Sequence, residues 1–356
     1  MSNARARVGI SCTGAARRRY FGGPCLDRLE AVAEVSWLEF GGPSRTAGPP
    51  PGDAPSVERL AAFVRDLDVL VVSYGSPRVT GPIMAGAPHL VMVGDTHGDR
   101  FAERVDVPAA SGRGIAVVDT TNGSSGPVAE WALGLVLIGL RNAGALFRRL
   151  VAGELLWPDR EVFLDDPGYL RGELTGKTVG LVGAGNIGQR LIKLLAPFKV
   201  TVLAYDPGAP TALATMAGIE LTSLDNVMGA TDVVVCTVPL TNTTRGMIGV
   251  RQVQALRPGA VFVNVSRGAV VDTGALIERL RVGDIIACLD VVEPEPLAVS
   301  SPLRAMPNVF LSPHIAGVTA GSEPRFFDLM VDEIIRVLAG HQPHYPLVPR
   351  ERAPSG

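Results

Sequence analysis

The chain has 356 residues, of which 47% are hydrophobic and 19% charged, with a formal net charge of −2. That length and apolar content predict two well-packed domains and exclude long disordered tracts. The near-balanced charge gives no reason to expect a nucleic acid or an anionic membrane as partner.

From the N-terminus, Arg5 and Arg7 run straight into a strand-like segment with no apolar leader between, so a soluble, cytoplasmic protein is expected. Strands are predicted at Arg7–Ser11, Val32–Phe40, Asp68–Ser73, Leu90–Val93 and Ile115–Val118, with helical segments at Cys25–Val32, Ser56–Leu67 and Gly81–Gly86. The stretch Pro43–Pro55 reads as an exposed loop, and Arg17–Arg19 as a solvated basic turn. One long helix is predicted over Pro127–Gly153. Its most apolar part, Trp131–Leu140, is too short to span a bilayer and reads as core. An irregular segment, Glu154–Glu173, follows.

A second series of strands is predicted at Thr178–Val182, Val200–Tyr205, Asp232–Val238, Ala260–Val265, Ile285–Asp290 and Val309–Leu311. Their near-continuous Val, Ile and Leu content fits strands covered on both faces. A last helix is expected over Ser322–Ala339, ended by Gly340, with no further domain beyond it. Strand–helix alternation throughout predicts an α/β fold built on doubly wound parallel sheets. The four cysteines, Cys12, Cys25, Cys236 and Cys288, form no CxxC pair and read as reduced thiols. His341 and His344 lie in a proline-rich tail with no acidic neighbours, so no metal site is expected there.

The first strand of the second series leads into Gly183-Ala-Gly185-Asn186-Ile187-Gly188 and then a helical pattern. A lone GxGxxG is weak evidence, but here its context is right on both sides. Gly183 permits the tight turn, Gly185 lets the backbone approach a pyrophosphate, and Gly188 lets the helix pack on the strand. The next strand ends in Asp206, 23 residues after Gly183. That is near the spacing of about 20 expected for a carboxylate on the adenosine ribose. An acid there repels a 2′-phosphate, so NAD is expected over NADP.

Three more segments follow strands of this series. Asn264-Val265-Ser266-Arg267-Gly268 ends in a guanidinium suited to bidentate recognition of a carboxylate. In Asp290-Val-Val-Glu293-Pro-Glu295-Pro296, prolines flank Glu295 in a stiff loop. Ser312-Pro-His314-Ile-Ala316 places a histidine at the carboxyl edge of the sheet, where α/β proteins bind ligands. Singly, each is an ordinary surface feature. Together, arginine, glutamate and histidine supply what hydride transfer to a 2-keto acid needs: an anchor, an orienting acid and a proton donor.

With Val128-Ala-Glu130, Val238-Pro239-Leu-Thr241 and the motifs above, the chain resembles the D-2-hydroxyacid dehydrogenase family from about Gly114 onward. The resemblance implies a Rossmann NAD domain, 122–317, inserted in a flavodoxin-like substrate domain, 1–121 plus 318–356. It implies an NAD-dependent oxidoreductase that interconverts a 2-keto acid and a D-2-hydroxy acid. Arg267 would orient the substrate, His314 act as acid/base, and Glu295 rather than Glu293 partner the histidine. Asp290 would hold the nicotinamide carboxamide. Gly183, Gly185, Asn186, Ile187, Gly188, Asp206, Thr237, Val238, Pro239, Thr241, Val265, Ser266 and Ala316 would line the cofactor site. The first domain departs from the family pattern. Tyr74, Gly75 and Ser76 stand where the family's loop binds the substrate carboxylate, and His97 stands in a divergent turn; both are expected to bear on substrate choice. The helix after Pro127 and an arm near Trp157 resemble the family's dimer contact, so a homodimer is expected. Two alternatives stay open at this point: an NAD(H)-binding corepressor-like scaffold and a phosphite dehydrogenase-like enzyme. Glu295 argues against the formate dehydrogenases, which carry glutamine there.

Overall fold

The structure is a computed structural model and describes residues 5–43, 51–96, 104–155 and 172–347. His97, Trp157 and much of the segments 43–55 and 154–173 lie outside the described residues. The chain divides into two compact units, Met1–Ser124 with Ala320–Gly356, and Ser125–Thr319.

The first unit holds five parallel strands: β1 (Ala6–Thr13), β2 (Ala33–Phe40), β3 (Val69–Val72), β4 (Met92–Asp95) and β5 (Ala116–Asp119). Their order is β2-β1-β3-β4-β5, the flavodoxin-like arrangement. Both faces of the sheet are covered, which explains why β3 is an unbroken Val-Leu-Val-Val run, buried throughout. Val8, Ile10, Val69 and Val71 pack on Leu29 and on Phe327, Met330 and Ile334 of the C-terminal helix Ser322–Leu338. Leu70, Val72, Val93 and Val117 pack on the opposite face against Leu60, Val64 and Ile83. The basic run Arg17–Arg19 is solvated, as expected, but helical instead of a turn. It sits in helix α1 (Gly14–Tyr20), where Arg17 pairs with Glu39 at 2.5 Å and Arg19 with Glu323 at 2.6 Å.

The second unit carries seven parallel strands: β6 (Thr178–Val182), β7 (Thr201–Tyr205), β8 (Glu220–Leu221), β9 (Val233–Cys236), β10 (Val261–Asn264), β11 (Ile286–Leu289) and β12 (Val309–Leu311). The order β12-β11-β10-β9-β6-β7-β8 is a Rossmann sheet that switches direction between β6 and β9. β8 escapes a reading by pattern because two residues are too few to show a period.

The long helix read from Pro127 to Gly153 is in fact two, Ser125–Leu140 and Ala143–Val151. Asn142 breaks it by adopting a left-handed backbone, φ 45°, which asparagine tolerates better than most residues. The 20-residue run Thr121–Leu140 contains an 18-residue window of mean hydropathy 1.2, long and apolar enough by composition to cross a membrane. Val128, Ala129, Ala132, Leu135 and Val136 of that run are instead packed in the second unit's core with Val261, Val263 and Ile286. Burial pushes the thiols of Cys12, Cys236 and Cys288 up to about 12. Burial, and then the neighbouring Asp328, also raise Cys25.

Candidate functional site

The second unit gathers its polar groups at the carboxyl ends of β6, β7, β9, β10, β11 and β12. At the end of β6, Gly183 has φ 104°, and a Cβ there would meet Thr237 and Val238 at 3.0 Å. A Cβ at Gly188 would lie 2.4 Å from the Gly183 carbonyl oxygen, so glycine is required for the helix Asn186–Leu195 to sit against the turn. Gly185 differs: it is exposed, and a Cβ would meet nothing within 4 Å. No side chain caps this ten-residue helix. Asn186, Ile187 and Gly188 therefore present their amides outward over an open glycine, which is the cradle a pyrophosphate needs.

Asp206, just past β7, accepts from Ala184 N–H and from Gly208 N–H, both at 2.9 Å. Each carboxylate oxygen keeps a lone pair for a ribose hydroxyl. On these observations the residues fit NAD. Past β9, the Thr237 hydroxyl donates to the Gly183 carbonyl at 2.8 Å and so ties two turns of the cradle together. Thr244 holds the following loop by donating to the Pro239 carbonyl at 2.6 Å and accepting from Thr241 N–H at 2.7 Å. The Ser266 hydroxyl donates to the Val238 carbonyl, and Val265 N–H to the Cys236 carbonyl at 3.3 Å.

Arg267 is exposed at the end of β10, and its Nη1 donates to the Ser266 carbonyl at 2.8 Å. The buried Asn264 shapes this turn: its Oδ1 accepts from Ser266 N–H at 3.0 Å and its Nδ2 donates to the Arg267 carbonyl at 3.1 Å. Gly268 lets the arginine turn touch the backbone of Val292 and Glu293, where a Cβ would fall 2.0 Å from the Val292 carbonyl. The turn bearing Arg267 is thereby seated on the loop bearing Glu295.

Glu295 Oε1 lies 2.6 Å from His314 Nδ1, and both side chains are 39% exposed. An ionised carboxylate only accepts, so this contact puts the proton on Nδ1 and leaves Nε2 for chemistry. His314 itself is left-handed, φ 54°, an uncommon backbone for histidine. Asp290, 1% exposed, braces it. Oδ1 accepts from the Ser312 hydroxyl at 2.5 Å and from Ile315 N–H at 3.0 Å, and Oδ2 accepts from Ala316 N–H at 3.0 Å. Among the described residues, one lone pair on Oδ2 remains. The roles of Asn264 and Ser312 and the left-handed backbone of His314 were not foreseen from the sequence. Only the Asn-x-x-Arg spacing gave a local signal for any of them, as an Asx-type turn.

Tyr74, Gly75 and Ser76 lie in the first unit, past β3. Gly75 has φ 80°, and a Cβ there would meet Thr13 at 2.3 Å. The Tyr74 ring has Arg104 over it at 5.4 Å. Ser76 is fully buried, with its hydroxyl 2.7 Å from that of Ser11 and its amide donating to the Ser73 carbonyl at 3.0 Å.

Comparison with known proteins bears on this arrangement. The profile of the D-isomer specific 2-hydroxyacid dehydrogenase NAD binding domain matches residues 133–316. A glyoxylate reductase of Thermofilum pendens is 36% identical over 291 residues, covering 81% of this chain and 84% of that protein. A D-3-phosphoglycerate dehydrogenase of Methanocaldococcus jannaschii is 34% identical, covering 83% of this chain but 55% of its own length. The chain thus spans about half of that relative and most of the reductase. Among solved structures, the TT0316 protein of Thermus thermophilus aligns at TM-score 0.69 with 30% identity, over 96% of this chain and all of its own. The apo D-mandelate dehydrogenase of Rhodotorula graminis aligns at TM-score 0.78 over 99% of this chain and 100% of its own; at 24% identity it speaks for the fold alone.

Proposed function

We propose, since this chain belongs to the D-isomer specific 2-hydroxyacid dehydrogenase family, that it interconverts a small 2-keto acid and the matching D-2-hydroxy acid. The observation that carries this reading is the 2.6 Å contact of His314 with Glu295, on the same sheet edge as an open, uncapped Gly-rich turn. When bound, NADH supplies the hydride for C2. In the reductive direction His314 Nε2–H gives its proton to the forming alkoxide at the 2-position, and in the oxidative direction neutral Nε2 takes that proton back. Glu295 holds the ring and stabilises the imidazolium. Arg267 carries a planar fork of donors for the substrate carboxylate and the 2-oxygen. The remaining lone pair of Asp290 Oδ2 suits an amide N–H of the nicotinamide carboxamide. Asp206 selects NAD by leaving no place for a 2′-phosphate.

The helix Ala143–Val151 exposes Phe147, Leu150 and Val151, a contiguous apolar face that supports a two-fold homodimer. The relative named glyoxylate reductase makes glyoxylate the first acid to try. The test is NADH oxidation against glyoxylate, hydroxypyruvate, pyruvate and branched, aromatic and phosphonate-bearing acids, with His314→Ala alongside. Turnover lost in the variant supports the reading. NADH binding without turnover on any acid turns the account towards a nucleotide-dependent scaffold.

A further inference from the structure

We propose that Trp131 and Ser312 are positioning residues that set the geometry of His314 through Asp290. The proposal rests on His314 being the acid/base group. A directed hydrogen-bond chain leads from the core helix Ser125–Leu140 to the histidine loop. The Trp131 indole Nε1–H can only donate, and it points at Ser312 Oγ across 3.2 Å. With that lone pair taken, the Ser312 hydroxyl turns its own proton to Asp290 Oδ1 at 2.5 Å, a charge-assisted bond.

The carboxylate is buried, and an ionised buried carboxylate must be met by donors on both oxygens. Ile315 and Ala316 supply two amides from the residues just after the histidine, and His314 N–H donates to the Asp290 main-chain carbonyl at 2.9 Å. One aspartate therefore grips residues 314–316 by side chain and main chain together. That grip holds His314 in its left-handed backbone and keeps Nδ1 on Glu295. The same carboxylate carries the lone pair assigned to the carboxamide, so its rotation would disturb the histidine and the cofactor at once. Ser312 sets that rotation, and Trp131 sets the hydroxyl of Ser312. Trp131 lies 181 residues from Ser312 in the chain and reaches Asp290 through this hydrogen bond.

The test uses the full chain with Ser312→Ala, Ser312→Thr, Trp131→Phe and the double variant Trp131→Phe/Ser312→Ala. Ser312→Ala is expected to lower kcat about ten- to hundredfold, with a rise in KM for NADH. Trp131→Phe loses less in the same direction, Ser312→Thr restores the rate, and the double variant is no worse than Ser312→Ala. A second readout needs neither nucleotide nor turnover. In protein labelled with 15N-histidine, the His314 Nδ1–H resonance, assigned by its loss in His314→Gln, is protected from exchange in the wild type and in Ser312→Thr. It exchanges rapidly with water in Ser312→Ala and Trp131→Phe. An unchanged resonance and rate in Ser312→Ala overturns the proposal, and so does a double variant whose losses simply multiply. If the wild type reduces no keto acid, the functional reading fails while the resonance still decides the chain.

Discussion

Replacing Gly268 by alanine probes how tightly the site is assembled. The new Cβ would lie 2.0 Å from the Val292 carbonyl carbon and 2.5 Å from Glu293 N, all main-chain atoms with no flexible end to swing aside. Ordinary contact begins at 3.4 Å, so the Arg267 turn and the Glu295 loop must part by about 1.4 Å, the difference between 3.4 and 2.0 Å. A shift of about 1 Å in reacting groups costs about a hundredfold. That is about 2.7 kcal/mol in the barrier to kcat/KM. Overpacking adds a stability loss of about 1–3 kcal/mol. The assay is steady-state NADH oxidation on the acid that turns over, with urea unfolding in parallel. Gly229→Ala serves as control, because its Cβ would sit at 3.7 Å from the Ala255 carbonyl oxygen, an ordinary contact. The control keeps its activity. Gly268→Ala with kcat/KM within a factor of two of wild type would refute the claim that these two backbones set the site.

Other outcomes follow from the same geometry. Asp206→Ala strips an acceptor from Ala184 N–H and Gly208 N–H as well as from the ribose. NADH affinity should fall about tenfold or more while NADPH affinity holds or rises, read by fluorescence titration. The three buried thiols raised to about 12 stay protonated in the fold while the unfolded chain ionises near 9.0. Between those values the unfolded state has fewer bound protons, so stability falls as pH rises, by up to about 1.4 kcal/mol per unit for each thiol. Urea titrations from pH 8 to 11 on wild type and Cys288→Ala measure it, and equal slopes would count against the burial argument. The proposed homodimer predicts a dimeric wild type in sedimentation and a monomeric Phe147→Asp, since Phe147 is 64% exposed in the single chain. A monomeric wild type would refute the proposed dimer, and a variant that keeps a dimer's mass would place the contact elsewhere.

The Gly-rich turn was legible because main-chain sterics dictate Gly183 and Gly188 locally, while Gly185 leaves the open space a phosphate cradle needs. The parallel sheets were legible for a similar reason, since strands covered on both faces are written as unbroken Val and Leu runs such as Val69–Val72. What depended on distance was not. Glu295 and His314 are 19 residues apart, and no spacing rule pairs them; that expectation came from likeness to a family. The break at Asn142 was hidden because one left-handed residue leaves the apolar content on either side unchanged. Asp290 was read only as a holder of the cofactor, whereas the structure already has it gripping the histidine loop. Trp131 looked like one more apolar position in a core helix, and its indole N–H found a partner only once the chain had folded.

The central claim is hydride transfer to C2 with the proton supplied by His314, and the most direct measurement follows the hydride itself. Hydroxypyruvate is incubated with NADH deuterated at both C4 positions, and the product is examined by NMR and chiral chromatography, for wild type and His314→Ala. The account predicts one deuterium at C2 of D-glycerate alone, with the variant's rate lower by about a hundredfold or more. Reduced acid with no deuterium at C2, label at C2 of the L-acid, or an equal rate in the variant would contradict it.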